Sequence, residues 1–384
     1  MKRFGWILML WMATASAWAA GKMTVQQLKD LLISLQKTNT ADADVAAQLK
    51  DVELTEEMTR STMNGLGPYV PGQLTTEQLY VLEARSAALA PPAADLPSTP
   101  APDAATQKAI LDKAVDYTNK TYAQLPDVTA TETTRRFQDN VEPPQGSLAA
   151  HSSVTVTPSS PPIRYMTGTE TQVTLLHGVE QNPLANDKTH WGDNGKIALL
   201  GQGPVLSTVI REAQATGKIN WVRWETIDGK QAAVYSFAVD KKNSHYAVNY
   251  CCFPESAQGG DMVLRGTGGA GGDNKGNYEV NQNWRNFKAT VPYHGEIFVD
   301  SDSGTVVRLV TQADFKSGEL VRKEDQCIQF GTVTIGDKAM VVPITTFIDT
   351  LSVPYGDSLK GRSIFRHTLF ISEYKKYQTA GAAQ

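Results

Sequence analysis

Two runs decide the fold: Tyr293-His294-Gly295-Glu296-Ile297-Phe298-Val299-Asp300 and Thr305-Val306-Val307-Arg308-Leu309-Val310, joined by Ser301-Asp302-Ser303-Gly304. Both runs are rich in β-branched and aromatic residues, and the linking residues are hairpin chemistry. Thr305 to Val310 is apolar on both faces, which predicts a strand covered by a helix on one side and by other strands on the other. Working outward, the same texture fills the chain from Val128 onward. Strands are expected over 128–137, 154–157, 163–167, 171–177, 219–225, 231–239, 245–253, 287–294, 296–299, 305–311, 326–333, 339–347 and 363–374. Asp228-Gly229 and Gly336-Asp337 supply further hairpin turns. One helix, with Val205, Val209, Ile210 and Ala213 apolar, is expected over 204–215, and a glycine-rich loop over 258–277. The predicted class is α+β, mainly β: a curved antiparallel sheet or incomplete barrel with helices, preceded by a small helical region.

That preceding region has a helical period. Thr24 and Gln27 form a capping box ahead of Val25, Leu28, Leu31, Leu32 and Leu35 on one face. A second helix is expected over 42–63, interrupted near Leu54-Thr55, and a third after a capping box from Thr75 to Gln78. The helical leader spans 20–89. An Ala/Pro-rich stretch over 90–102 reads as an extended connector. Asp103 is a good N-cap for a fourth helix over 103–125, and the β domain follows over 126–378.

Residues 1–19 read as a signal peptide. Lys2 and Arg3 precede an apolar run from Phe4 to Met12, which is shorter than the roughly 20 residues of a membrane span. Ala17-Trp18-Ala19 fits the small-x-small cleavage rule, so the expected destination is the periplasm or the extracellular space, with no span after cleavage. Cleavage removes two positive charges and no acid, turning a formal charge of −4 into −6. A mild acidic excess without a basic run argues against nucleic acid as a partner. The three cysteines, Cys251, Cys252 and Cys327, make no zinc motif. Neighbours on a strand point to opposite faces, so at most one of Cys251 and Cys252 faces Cys327.

Chemistry is sparse. None of His151, His177, His190, His245, His294 and His367 stands at helical ligand spacing from another, so no metal site is expected. Gly266, Gly268 and Gly271 match a dinucleotide fingerprint literally, but no helix opens after them, and no cofactor is expected. Gly356-Asp357-Ser358 lacks the closing glycine of a nucleophile elbow. Glu170 with Glu180, or Asp300 with Asp302, are the available acid/base pairs, and a hairpin turn is the better reading of the second. No catalytic residue is assigned. Alternation instead groups large side chains. Val222, Trp224, Tyr235, Phe237, Tyr246, Val248 and Tyr250 form a candidate apolar cavity, the alternative being plain core.

The strand from Ile219, the Gly295-to-Leu309 hairpin, Ile328 to Lys338, and Val341-Val342-Pro343 together resemble the later strands of outer-membrane lipoprotein carrier proteins. The resemblance covers about 217–377. It implies an incomplete antiparallel barrel with helices plugging its concave side, and a role in holding acyl chains or in envelope sensing. The leading expectation is a non-enzymatic exported carrier for a lipid-like or lipoprotein ligand. The alternative is an envelope protein–protein interaction module with a filled core, and a secreted hydrolase ranks third.

Overall fold

The computed structural model describes residues 21–139, 163–181, 198–199, 204–254, 284–352 and 366–380. The expected signal peptide, the strand over 154–157 and the glycine-rich loop lie outside these. The leader carries β1 (Lys22–Met23), α1 (Val25–Lys37), α2 (Asp42–Leu49), β2 (Glu53–Leu54), α3 (Arg60–Gly65) and α4 (Gln73–Ser86). The Thr24 capping box forms as expected, with Gln27 N donating to Thr24 Oγ1 and Thr24 N to Gln27 Oε1. The single helix expected over 42–63 is instead α2, a parallel β1–β2 pairing and α3. The helix expected to be capped by Thr75 starts three residues earlier, at Gln73. The carboxylate of Asp42 does the capping, accepting from Leu74 N and Thr75 N, a tertiary contact that the local pattern could not reveal. Leu28, Leu32, Val45, Leu49, Met58 and Leu82 give the leader a core of its own.

After a 3-10 turn at Ala93–Asp95 comes α5 (Ala104–Lys120). Asp103 caps it, accepting from Thr106 N at 2.8 Å. The β domain contains β3 (Val128–Asp139), β4 (Ile163–Leu176), β5 (Val179–Gln181), β6 (Ala198–Leu199), α6 (Leu206–Thr216), β7 (Ile219–Ile227), β8 (Lys230–Val239), β9 (Ala247–Pro254), β10 (Trp284–Thr290), β11 (Tyr293–Asp300), β12 (Val306–Ala313), β13 (Val321–Ile335), β14 (Lys338–Ser352) and β15 (Arg366–Thr379). Ten strands form one antiparallel sheet in the order β5-β4-β3-β15-β14-β13-β12-β11-β8-β7, and it is not closed into a barrel. β10-β9-β6 form a separate small sheet. The two strands expected over 163–177 are the single strand β4. Asp228-Gly229 and Gly336 close their hairpins with positive φ.

Helices cover both faces of the large sheet. On one face, α5 and α6 pack over Trp224, Tyr235, Phe237, Tyr293, Ile297 and Leu309. On the other, Val81, Ala84 and Ala87 at the end of α4 pack over Phe137, Val234, Phe298, Val310, Cys327, Phe347 and Leu369. Helices lie on both sides, not a helix on one and strands on the other, and this double covering is the reason the Thr305–Val310 run is apolar on both faces: Val306 and Leu309 serve one cluster and Val310 the other. None of the described helices is long and apolar enough to cross a membrane.

His294-Gly295, expected to end a strand, lies inside β11. A Cβ on Gly295 would stand 1.9 Å from the Val310 carbonyl oxygen. Gly295→Ala therefore forces β11 away from β12, and we expect it to lower the unfolding free energy by about 3 kcal/mol in a urea titration.

Candidate functional site

Of the seven residues grouped by alternation, Trp224, Tyr235, Phe237, Tyr246 and Val248 do come together, in one cluster beneath α5 and α6. Val222 does not join them. The ladder shifts register between Trp221 and Arg223, and the bulge leaves Val222 41% exposed. Tyr250 pairs through its backbone with Phe287 and Leu199 in the small sheet; its side chain lies outside the description.

The floor of this site is aromatic. Trp221 meets Trp224 and Tyr235 edge to face at 4.7 and 5.6 Å, and Tyr293 meets Phe237 and Tyr246 at 5.9 and 5.4 Å. These are edge-to-face geometries, which ring quadrupoles favour. The roof is fastened by the polar tips of the same rings. Tyr235 Oη donates to Gln107 O at 2.6 Å, and Trp224 Nε1 donates to Pro100 O at 2.9 Å. On α6, the buried Glu212 accepts from Tyr293 Oη at 2.7 Å and from the backbone N–H of His245, whose ring Nδ1 lies 2.6 Å away. Small residues, Ala114 on α5 and Ala213 on α6, sit fully buried in the cluster. Beside it, Tyr122, Leu206, Ile328, Thr346 and Tyr374 line a cavity of about 20 Å³, room for a single water.

Farther along the same face, polar side chains are buried. Tyr246 Oη donates to Glu324 Oε1 at 2.8 Å. Glu324 stands opposite Thr350, which stands opposite Thr368, while Gln326 stands opposite Thr311. Glu324 Oε2, both amide atoms of Gln326, and the hydroxyls of Thr311, Thr350 and Thr368 have no hydrogen-bond partner among the described residues. Burial, reinforced by the charge of Asp325, pushes the Glu324 carboxyl up to about 8 against the pull of Tyr246.

The leader face carries the charges. Arg308 is 5% exposed and donates to Glu57 Oε1 at 2.6 Å and to the Ala87 carbonyl, with Cys327 Sγ 3.4 Å from its Nε and the Phe298 ring 4.7 Å below. Arg223 forks onto both oxygens of Glu296 at 2.9 Å and also holds Glu225. Arg60 of α3 holds Glu83 at 2.6 Å and Glu373 of β15 at 3.2 Å. At the sheet end, the buried Asp349 lies between Lys323, at 2.7 Å, and the His367 ring. Burial alone would raise Asp349, but His367 and Lys323 hold it well below the usual carboxylate range. Cys327 is a free thiol.

The candidate acid/base pairs find other uses. Glu180 accepts from Tyr374 Oη, Glu170 is exposed on β4, and Asp300 closes its hairpin by accepting from Asp302 N and Ser303 N. Among the described residues no group of three or more His, Cys, Asp or Glu is placed to hold a metal. Compared with known proteins, the chain matches no family model, no curated protein and no solved structure.

Sequence reasoning missed Arg308, Glu212, Glu324 and Gln326 as buried groups. For Arg308 a signal existed: one guanidinium in a strand apolar on both faces must be buried and therefore paired.

Two tests follow from these contacts. Arg308→Ala leaves Glu57 buried without its cation, and is expected to cost about 3–5 kcal/mol in chemical denaturation; Arg308→Met combined with Glu57→Leu recovers most of that loss. The pH profile has two limbs. Glu324 is raised in the folded chain, so its contribution is complete below pH 4.5 and is lost as pH rises through about 8. Asp349 is lowered, so its contribution is present above its ordinary value of 3.8 and is lost as pH falls further. Glu324→Gln should make the alkaline limb shallower and leave the acid limb unchanged when thermal unfolding is followed across pH; the remainder belongs to Glu83, which burial pushes up to about 7.

Proposed function

We propose that the protein is a non-catalytic interaction module of the cell envelope, exported by its first 19 residues, which binds other proteins through its surface. One observation carries this reading. The face on which a ligand cavity is expected is filled by α5 and α6, with Trp224, Tyr235, Phe237 and Tyr246 packed as core. A filled core offers a small molecule no concave apolar volume. The polar clusters on the other face are consumed in fastening the leader and the strand ends, which leaves no nucleophile–base pair free for chemistry among the described residues.

A second reading, the acyl carrier implied by the strand resemblance, draws support from α5. Ile110, Ala114 and Thr118 are its fully buried residues, and it follows a proline-rich connector. Lifting it would uncover the aromatic floor. Each buried methylene of an acyl chain then contributes about 0.8 kcal/mol.

The two readings separate by mass spectrometry of the natively purified protein after organic extraction. The interaction reading expects an empty protein, still empty after incubation with phospholipid vesicles. A stoichiometric lipid or acylated peptide would overturn it in favour of the carrier.

A further inference from the structure

β4 pairs with β3 along its whole length, but with β5 only through Thr174, Leu175 and Leu176. From Ile163 to Val173 its outer edge faces no strand among the described residues, and every residue from Arg164 to Gln172 is exposed. Such an edge is a template for another strand, and proteins ordinarily blunt it with proline, lysine or a bulge. The opposite edge of the sheet is blunted in this way: β7 bulges at Val222, and Arg223 is forked onto Glu296 and Glu225. β4 has one bulge, at Met166, where the register slips between Arg136 and Phe137. Beyond it, Thr167-Gly168-Thr169-Glu170-Thr171-Gln172-Val173 runs regularly, with neither proline nor lysine.

Resting on the reading of the protein as an interaction module, we propose that this edge pairs antiparallel with β4 of a second copy, about a two-fold axis through Thr169. The segment is complementary to itself in that register. Thr167, Thr169 and Thr171 share one face of the strand. On that face, Thr169 meets the partner's Thr169, and Thr167 meets the partner's Thr171, pairings that stabilise antiparallel ladders. On the other face Glu170 meets the partner's Gly168, over which the Tyr165 hydroxyl lies in place of a side chain. Neighbouring registers are poorer. An axis through Glu170 sets two carboxylates directly opposite each other, which is destabilising. An axis through Gly168 leaves only Thr167 to Thr169 before the Met166 bulge breaks the ladder. A two-fold pairing also closes on itself, as an isologous contact must, and uses up both free β4 edges at once.

Sedimentation velocity on the whole exported chain across the micromolar range tests this. A monomer–dimer equilibrium is expected. Thr169→Asp sets two carboxylates face to face and should weaken the dimer by about tenfold, with thermal unfolding unchanged because Thr169 is exposed. Thr169→Cys should form a disulfide-linked dimer on mild oxidation beyond the level seen for the unaltered chain, whereas Thr171→Cys should not. A chain that stays monomeric throughout, or equal cross-linking at 169 and 171, would overturn the proposal. The first of these results would leave the interaction reading standing, with the edge open to a different protein. A bound lipid in the extract would sink that reading without bearing on the dimer.

Discussion

The guanidinium of Arg308 holds the two halves of the chain in one structure. It stands on β12, in the centre of the large sheet, and reaches out of it to Glu57 and to the Ala87 carbonyl, both in the leader. A buried cation is costly unless its partners are in place. The leader must therefore seat with Glu57 over the sheet, and it does so beside a second anchor, Arg60 on Glu373. Between the anchors, Val81, Ala84 and Ala87 supply the apolar contact. Apolar burial gives this interface its driving force, and the two arginines set its position. The leader, with a core of its own, could otherwise slide over a sheet face that offers apolar residues on several strands.

Covering both faces of a sheet has a consequence for function. Each helix layer that stabilises the sheet also removes a surface on which a ligand could sit. On the α5/α6 face, ring edges meet ring faces and hydroxyl and indole tips bond to the roof, so the aromatic residues are satisfied in place. Their number would suit an acyl chain, yet the packing meets that need with protein atoms. Among the described residues, what remains open to partners is the sheet edges and an open concavity of about 340 Å³ in the leader, lined by Met63, Val70, Leu79 and Tyr80. This shifts the functional question from an enclosed cavity to the surface.

The sheet end near Glu324 has a different character. Hydroxyl, amide and carboxyl groups lie buried in adjacent strands, several of their atoms without a partner among the described residues. In the low dielectric of a protein interior, such groups are either bridged by water or held at a cost to stability. A raised carboxyl there is the electrostatic trace of that cost, because desolvation disfavours the charged form. On the reverse of the same strand, Asp325 lies 3.1 Å from Lys323, which also holds Asp349. Neighbouring residues on one strand thus face opposite requirements.

The mainly β class, the antiparallel hairpins at Asp228-Gly229 and Gly336-Asp337, the helical leader and the Asp103 and Thr24 caps were all legible in the residues. Each depends on neighbours within a few positions: the period of apolar residues, turn chemistry and capping side chains. Five of the seven cavity candidates share one buried cluster, since alternation assigns faces. Alternation could not place Val222, because one bulge shifts every later residue relative to its partner strand. Nor could it distinguish a lined cavity from a filled one, because that depends on where α5 and α6 lie. The start of α4 was misplaced because its cap, Asp42, comes from another helix. The pairing of β3 with β15, the exclusion of β9 and β10 into a separate sheet, and the partners of Arg308 were decided only in three dimensions. They join residues up to about two hundred and fifty positions apart, and no local pattern carries the energy of a contact between segments that distant.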